Sequence, residues 1–178
     1  IPEGYFNQIT CITEDANGTI WIGSHWGVFE YNRNTGQIIN YLPHDLINNS
    51  SKQINNSIKQ SIESSLSNLF ITSIVEFKNK NEHRLWIATK WGLNVFDIKK
   101  KIFKRISVYP SLPSSLSSVQ LTELFIDEYS QLWIGTMDAG IDIMKIDDNP
   151  FRQFTMNSRI PDLYPAPSCF LVDSDNTL

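Results

Sequence analysis

"IWIGSHWGVFEYN", residues 20–32, sets an apolar, strand-like run around Trp21 and follows it with Gly23, Trp26 and Gly27. The chain says nearly the same thing twice more. "LWIATKWGLNVFD" spans residues 85–97, and "LWIGTMDAGIDIMK" spans residues 132–145. Aligned on the tryptophan, Trp21 and Trp86 stand 65 residues apart, and Trp86 and Trp133 stand 47 apart. Near the end, "SCFLVDSDNTL" (168–178) reproduces "TCITEDANGTI" (10–20). A further spacing of 46 would set a fourth tryptophan one position past Leu178. Repeats of about 40–50 residues that are rich in short strands are the signature of propeller blades.

Each copy reads as four strands. The third gives residues 121–127, 132–136, 141–146 and 151–155, and the first gives 9–15, 20–24, 28–32 and 38–41. Asn17-Gly18 supplies the positive φ of a tight first hairpin. The second copy has "FKNKNEHR" (77–84) there, three residues longer and without glycine, which predicts a looser loop. Blades stack face to face, so the Trp-bearing strand is apolar on both sides and does not alternate. Trp21, Trp86 and Trp133 are therefore expected between blades. Gly23, Ala88 and Gly135 follow two residues later on the same side, where close packing leaves little room for a side chain.

The expected architecture is all-β: a β-propeller fragment of three four-stranded blades plus the first strand of a fourth, forming an open arc. Blade one covers 1–45, an Asn/Ser-rich insert 46–68, blade two 69–110, blade three 111–160, and the start of blade four 161–178. Ile54, Ile58, Ile62 and Leu66 recur every fourth residue of the insert, as on one face of a short helix, with disorder as the alternative. Both ends of such an arc leave a blade face uncovered, so further blades or a second chain are the expected partners there.

The 178 residues carry a formal net charge of −4 and 41% hydrophobic content. That is ordinary for a packed domain and gives no field of one sign to attract nucleic acid. No apolar run reaches membrane-spanning length, so contact with a membrane is expected only through parts of the protein outside this segment. The chain begins at Ile1 without an initiator Met, which suggests a processed product or a piece of something longer.

Cys11 and Cys169 are too few for a disulfide framework or a zinc site. They occupy the same place in blades one and four, two whole blades apart. Facing sheets alone are spaced by about 10 Å, whereas bridged Cα atoms need under about 7 Å. No disulfide is expected. His25, His44 and His83 show no metal-ligand spacing, and no phosphate cradle or nucleophile elbow is present. No metal or cofactor is expected. Asp15, Asp127 and Asp173 recur at the end of strand one, where side-chain to backbone bonds of a turn are the ordinary use.

The turn after strand two and the connection leaving strand four open on one face of a blade. His25-Trp26, Lys90-Trp91 and Asp138-Ala139 therefore share a face, together with the insert. Trp26 and Trp91 occupy equivalent positions, one before the glycine. A flat apolar platform beside polar groups is what a sugar surface needs. His25, Trp26, Lys90, Trp91 and Asp138 are the candidate ligand-binding residues, with Trp26 and Trp91 expected to be more exposed than the three strand tryptophans. Lys78, Lys80, Arg84, Lys90, Lys99, Lys100, Lys101, Lys104 and Arg105 make blade two basic. Lysines guarding an outer hairpin explain much of this; attraction for an anionic sugar is the sharper reading.

The pattern in "ITCITEDANGTIWIGSHWGV" (9–28), with "SSLS" lead-ins at 64–67 and 114–117, resembles the two-component regulator propeller repeat. It recurs in "SSLSNLFITSIVEF…LWIATKWGL" and in "SSLSSVQLTELFIDEYSQLWIGTMDAGI" (114–141). Blade two departs from it, with Phe77 at the place of the strand-one Asp and Ala88 at the place of the glycine. The resemblance implies the periplasmic sensor region of a hybrid two-component system, an inner-membrane protein with a histidine kinase elsewhere in its chain. It also implies an oligosaccharide ligand and no enzymatic activity in this segment. A propeller enzyme of the polysaccharide-lyase kind and a protein-interaction scaffold are the alternatives.

Overall fold

The computed structural model describes residues 8–43, 65–106, 108, 115–146 and 169, together with the backbone of 151–154. The first sheet comprises β1 (Ile9–Glu14), β2 (Ile20–Ser24), β3 (Gly27–Tyr31) and β4 (Ile38–Tyr41). The second comprises β5 (Ile71–Lys78), β6 (His83–Thr89), β7 (Gly92–Asp97) and β8 (Ile102–Ile106). The third comprises β9 (Leu121–Ile126), β10 (Gln131–Thr136), β11 (Ile141–Lys145) and β12 (Phe151–Phe154). Each is an antiparallel meander in sequence order. The three sheets do not close a ring, so the fold is an open arc of propeller blades. In blades one and three the strands begin and end within one residue of the positions read from sequence. Blade four falls outside the described residues apart from Cys169, as do 46–64 of the insert and the helix or disorder expected there.

Register repeats from blade to blade. Trp21 pairs with Thr13 and Glu30, Trp86 with Val75 and Val95, and Trp133 with Phe125 and Ile143. The first strands lie nearest one another, β1 against β5 and β5 against β9. They form the inner edge of the arc. The looser loop expected in blade two is not what forms. The extra residues lengthen β5 and β6, and the chain reverses tightly at 79–82. The Asn79 amide N–H donates to the Glu82 carbonyl at 2.9 Å, while its side-chain oxygen accepts from the amides of Asn81 and Glu82. An asparagine side chain thus closes a turn that holds no glycine.

Each strand-two tryptophan faces the following blade. Trp21 is fully buried, edge-on to Phe96 of blade two at 5.5 Å, within a cluster that includes Tyr41 and Phe103. Lys101 of blade two lies over the Trp21 indole at 5.3 Å and pairs with Glu30 of blade one at 2.7 Å. Trp86, 2% exposed, enters the next seam with Leu116, Leu121 and Leu132. Trp133 is half-buried, on the face of blade three opposite to Leu132 and Ile134, which pack against blade two. At Gly23 a Cβ would lie 2.7 Å from the Ile71 side chain of blade two and would run into the Cys11 sulfur. The glycine is there because two blades touch at that point.

Asp15 and Asp127 act in the turns, as their position suggests, and also hold the tryptophans. One oxygen of Asp15 accepts from the amides of Asn17 and Thr19, and the other accepts from the Trp21 indole N–H at 2.9 Å. Asp127 does the same for Tyr129, Gln131 and Trp133. In blade two Phe77 replaces this carboxylate, and the buried Trp86 indole N–H has no partner. Leaving such a donor unpaired costs about 1–3 kcal/mol.

The serine lead-ins plug the seams. Leu66 and Leu116 are buried, and the residue after each is tied to strand three. The Ser67 amide donates to the side-chain oxygen of Asn94, and the Ser117 amide and hydroxyl both donate to one oxygen of Asp142 at 2.8 Å. Arg105 donates to the carbonyls of Ser65 and Leu66. Residues 65–68, read from sequence as the end of the insert, thus pack into the seam between blades one and two. Leu66, counted on a helical face, is a core residue.

Candidate ligand-binding rim

Three equivalent turns follow strand two. The hydroxyls of Ser24, Thr89 and Thr136 donate to the carbonyls of Gly27, Gly92 and Gly140. The same oxygens accept from the amides of Trp26 (2.8 Å), Trp91 (3.0 Å) and Ala139 (3.0 Å). Gly92 closes its turn at φ 118°, a left-handed value that a side chain there would strain. The hydroxyl clamp fixes the backbone of the residue before the glycine, which leaves that side chain to be set by its surroundings.

Backbone bonds string the turns into one rim. Within blades, the amides of His25, Lys90 and Met137 donate to the carbonyls of Gln8, Phe70 and Gln120. Between blades, the amide of Gly27 donates to Leu69 and that of Gly92 to Val119. Residues 8, 70 and 120 open the innermost strands, so this rim borders the inner edge of the arc.

His25, Trp26, Lys90, Trp91 and Asp138 all fall on the rim, and the structure brings some of them together. The His25 imidazole meets the Phe70 ring at 5.0 Å, edge to face, and the Lys90 ammonium lies 5.4 Å from the same ring. Trp91, next to Lys90, is 61% exposed. Trp26 is half-buried, as is Trp133. The expected contrast between loop and strand tryptophans therefore holds for Trp91 against all three strand tryptophans and for Trp26 against Trp21 and Trp86, but does not separate Trp26 from Trp133. Asp138 is exposed on blade three, and no hydrogen bond or ion pair joins it to the other four.

Two rim residues escaped the sequence reading. Phe70 stands where the other blades have Gln8 and Gln120, and that aromatic-for-amide exchange at one repeat position was the available signal. Met137, 45% exposed, stands where the other turns have His25 and Lys90.

Four of the nine cations of blade two are engaged elsewhere. Lys101 pairs with Glu30, Lys100 with Asp97, Arg84 with Glu82, and Arg105 holds the lead-in. The Asp97 carboxyl is held below its usual range, first by the Lys100 backbone N–H and also by the Lys100 charge. A cleft of about 560 Å³ lies among these outer turns, lined by Arg84, Lys99, Lys100 and Lys104 at the opposite end of the blade. Among the described residues, no cluster of three His, Cys, Asp or Glu could hold a metal ion.

Blade one, with its turn carboxylate, buried indole and glycine-closed turn, also carries the sequence of a known repeat. The match is to the two component regulator propeller, over residues 6–26. The fold is shared with the extracellular domain of the putative hybrid two component system BT3049 from B. thetaiotaomicron. That domain is 21% identical with a TM-score of 0.66, over 85% of this chain and 19% of that one. The extracellular domain of BT4673 from B. thetaiotaomicron, a putative one component system, is 20% identical with a TM-score of 0.67. Here the match covers 97% of this chain and 21% of that one. The WD40 repeats of RRP9 share the fold more distantly, at 10% identity and a TM-score of 0.53, over 85% of this chain and 39% of that one. The chain spans about a fifth of the length of the two extracellular domains. No curated protein matches it.

Proposed function

We propose that the chain is part of the extracytoplasmic, ligand-sensing propeller of a hybrid two-component signalling protein. It detects an oligosaccharide at the rim formed by His25, Trp26, Lys90, Trp91 and Asp138. The observation that carries this reading is Trp91, an indole 61% exposed on a turn whose backbone is clamped by Thr89 and Gly92. A large apolar ring that is exposed to solvent on a backbone-clamped turn offers one face to a sugar, with the turn already ordered before binding. The likeness to extracellular domains supports a periplasmic setting, with the kinase and the membrane anchor in other parts of the protein. On this reading the segment binds and transmits, and has no catalytic step of its own.

The test is thermal unfolding of the full-length protein against a panel of oligosaccharides, since a ligand that binds only the folded state raises the melting temperature. Trp91→Ala should weaken binding by about tenfold, the size of one aromatic stacking contact. Unchanged affinity in that variant would remove Trp91 from the site. A protein partner captured where no sugar binds would favour the scaffold reading instead.

A further inference from the structure

We infer that the ligand of this rim is anionic, and that Lys90, assisted by His25, receives the carboxylate or sulfate group of a sugar seated over Phe70 beside Trp91. The inference rests on the sensing reading and names the ligand class.

The first ground is the Phe70 ring itself. It lies at the seam of blades one and two, between the His25 imidazole at 5.0 Å and the Lys90 ammonium at 5.4 Å. A cation held over an aromatic face keeps its position while its remaining hydrogens stay available. Blades one and three have Gln8 and Gln120 in place of Phe70, so among the described residues this seam alone is built to hold a cation in that way.

The second ground is charge. Among the described residues Lys90 has no carboxylate partner, whereas Lys100, Lys101 and Arg84 of the same blade are each paired. The strand-two turns contain one carboxylate, Asp138, and it belongs to blade three. The amides of His25 and Lys90 are already bonded to Gln8 and Phe70, so an incoming anion meets side chains rather than backbone donors.

The third ground is adjacency. Lys90 and Trp91 are consecutive residues of one clamped turn, so an exposed indole and an ammonium without a carboxylate partner among the described residues stand on the same short segment of the rim. A neutral sugar would leave that charge unused, whereas an acidic one gains a charge-assisted hydrogen bond. Uronic acids and sulfated sugars share this chemistry.

The experiment measures binding to the full-length protein of three pools: uronic-acid oligosaccharides, sulfated oligosaccharides and neutral oligosaccharides. An acidic pool should bind, more weakly as sodium chloride is raised. Lys90→Gln should lose about tenfold or more in affinity, with an unchanged melting temperature in the absence of ligand. Lys104→Gln, in the cleft at the opposite end, should bind as the native protein does. Which acidic pool binds tells carboxylate from sulfate. Binding of the neutral pool alone, or full affinity of Lys90→Gln for the acidic pool, would overturn the inference and leave the sensing reading standing. Failure of every pool to bind would overturn both.

Discussion

Asp142 and Asn94 hold the same repeat position and bond to equivalent lead-in serines, Ser117 and Ser67, yet they differ in one atom that matters. Asn94 donates from its amide nitrogen to the Ser67 hydroxyl at 2.8 Å and, at longer range, to the carbonyls of Ile87 and Gly92. Asp142 is fully buried, has no such proton when ionised, and its second oxygen has no partner. Burial pushes its carboxyl above the usual range, against the two Ser117 bonds that lower it. A raised folded-state pKa stabilises the protein below the unfolded value of about 3.9, and that contribution is lost as pH rises through the folded pKa. Asp142→Asn should therefore gain stability that grows with pH over this window and levels above it, reaching about 1–3 kcal/mol. Denaturant melts from pH 4 to pH 8 check the slope; a gain independent of pH would contradict it. Ser130, at φ 59°, stands where blade one has Gly18 at φ 81°. Ser130→Gly should raise stability by about 1 kcal/mol, because a left-handed residue with a Cβ carries that strain. Equilibrium unfolding in urea measures it.

At the scale of the element, the seam between blades one and two depends on the close approach of β2 to β5. Gly23 pairs with Cys11 on one side and Val28 on the other, and faces Ile71 of the next blade. Gly23→Val would overfill this contact. The expected loss is about 1–3 kcal/mol, with the Trp21 fluorescence shifting toward the exposed indole as the seam opens. Blade two accepts Ala88 at the equivalent place, so Gly23→Ala should cost less than the valine. Equal losses for the two variants would mean that volume is not the cause. The lead-ins belong to the same scale. Blades two and three pair Ser67 with Asn94 and Ser117 with Asp142, whereas blade one has Tyr5 and Phe29 at these two places. Polar peg and polar socket are present together or absent together.

At the scale of the molecule, blade one presents an open sheet face. Ile12 and Ile38 are 65% and 64% exposed, while their equivalents in blade two, Ile74 and Phe103, are buried against blade one. The same positions are thus core in one blade and surface in the other. An apolar face of this kind, next to Ile20, Ile22 and Phe29, seeks another blade. The chain of residues 1–178 alone should self-associate in light scattering. The double substitution Ile12→Glu with Ile38→Glu should shift it toward monomer without disturbing the Trp21 seam on the other face. A monodisperse native monomer would count against this.

The sequence by itself determined the blades. Three tryptophan strands at regular spacing, glycine-bearing turns and recurring aspartates specify local hairpins, and short-range pairing needs no information from elsewhere in the chain. It also determined the rim, since equivalent turns of a repeat must fall on one face. Only the tertiary structure decided which aromatics on that rim are free. Trp26 and Trp91 hold the same repeat position, in Ser-His-Trp-Gly and Thr-Lys-Trp-Gly, yet one is half-buried and the other stands out, a difference the repeat pattern does not contain. Phe70 meets His25 for a reason equally absent from the local sequence: residues 45 positions apart in the chain touch only when blade packs on blade.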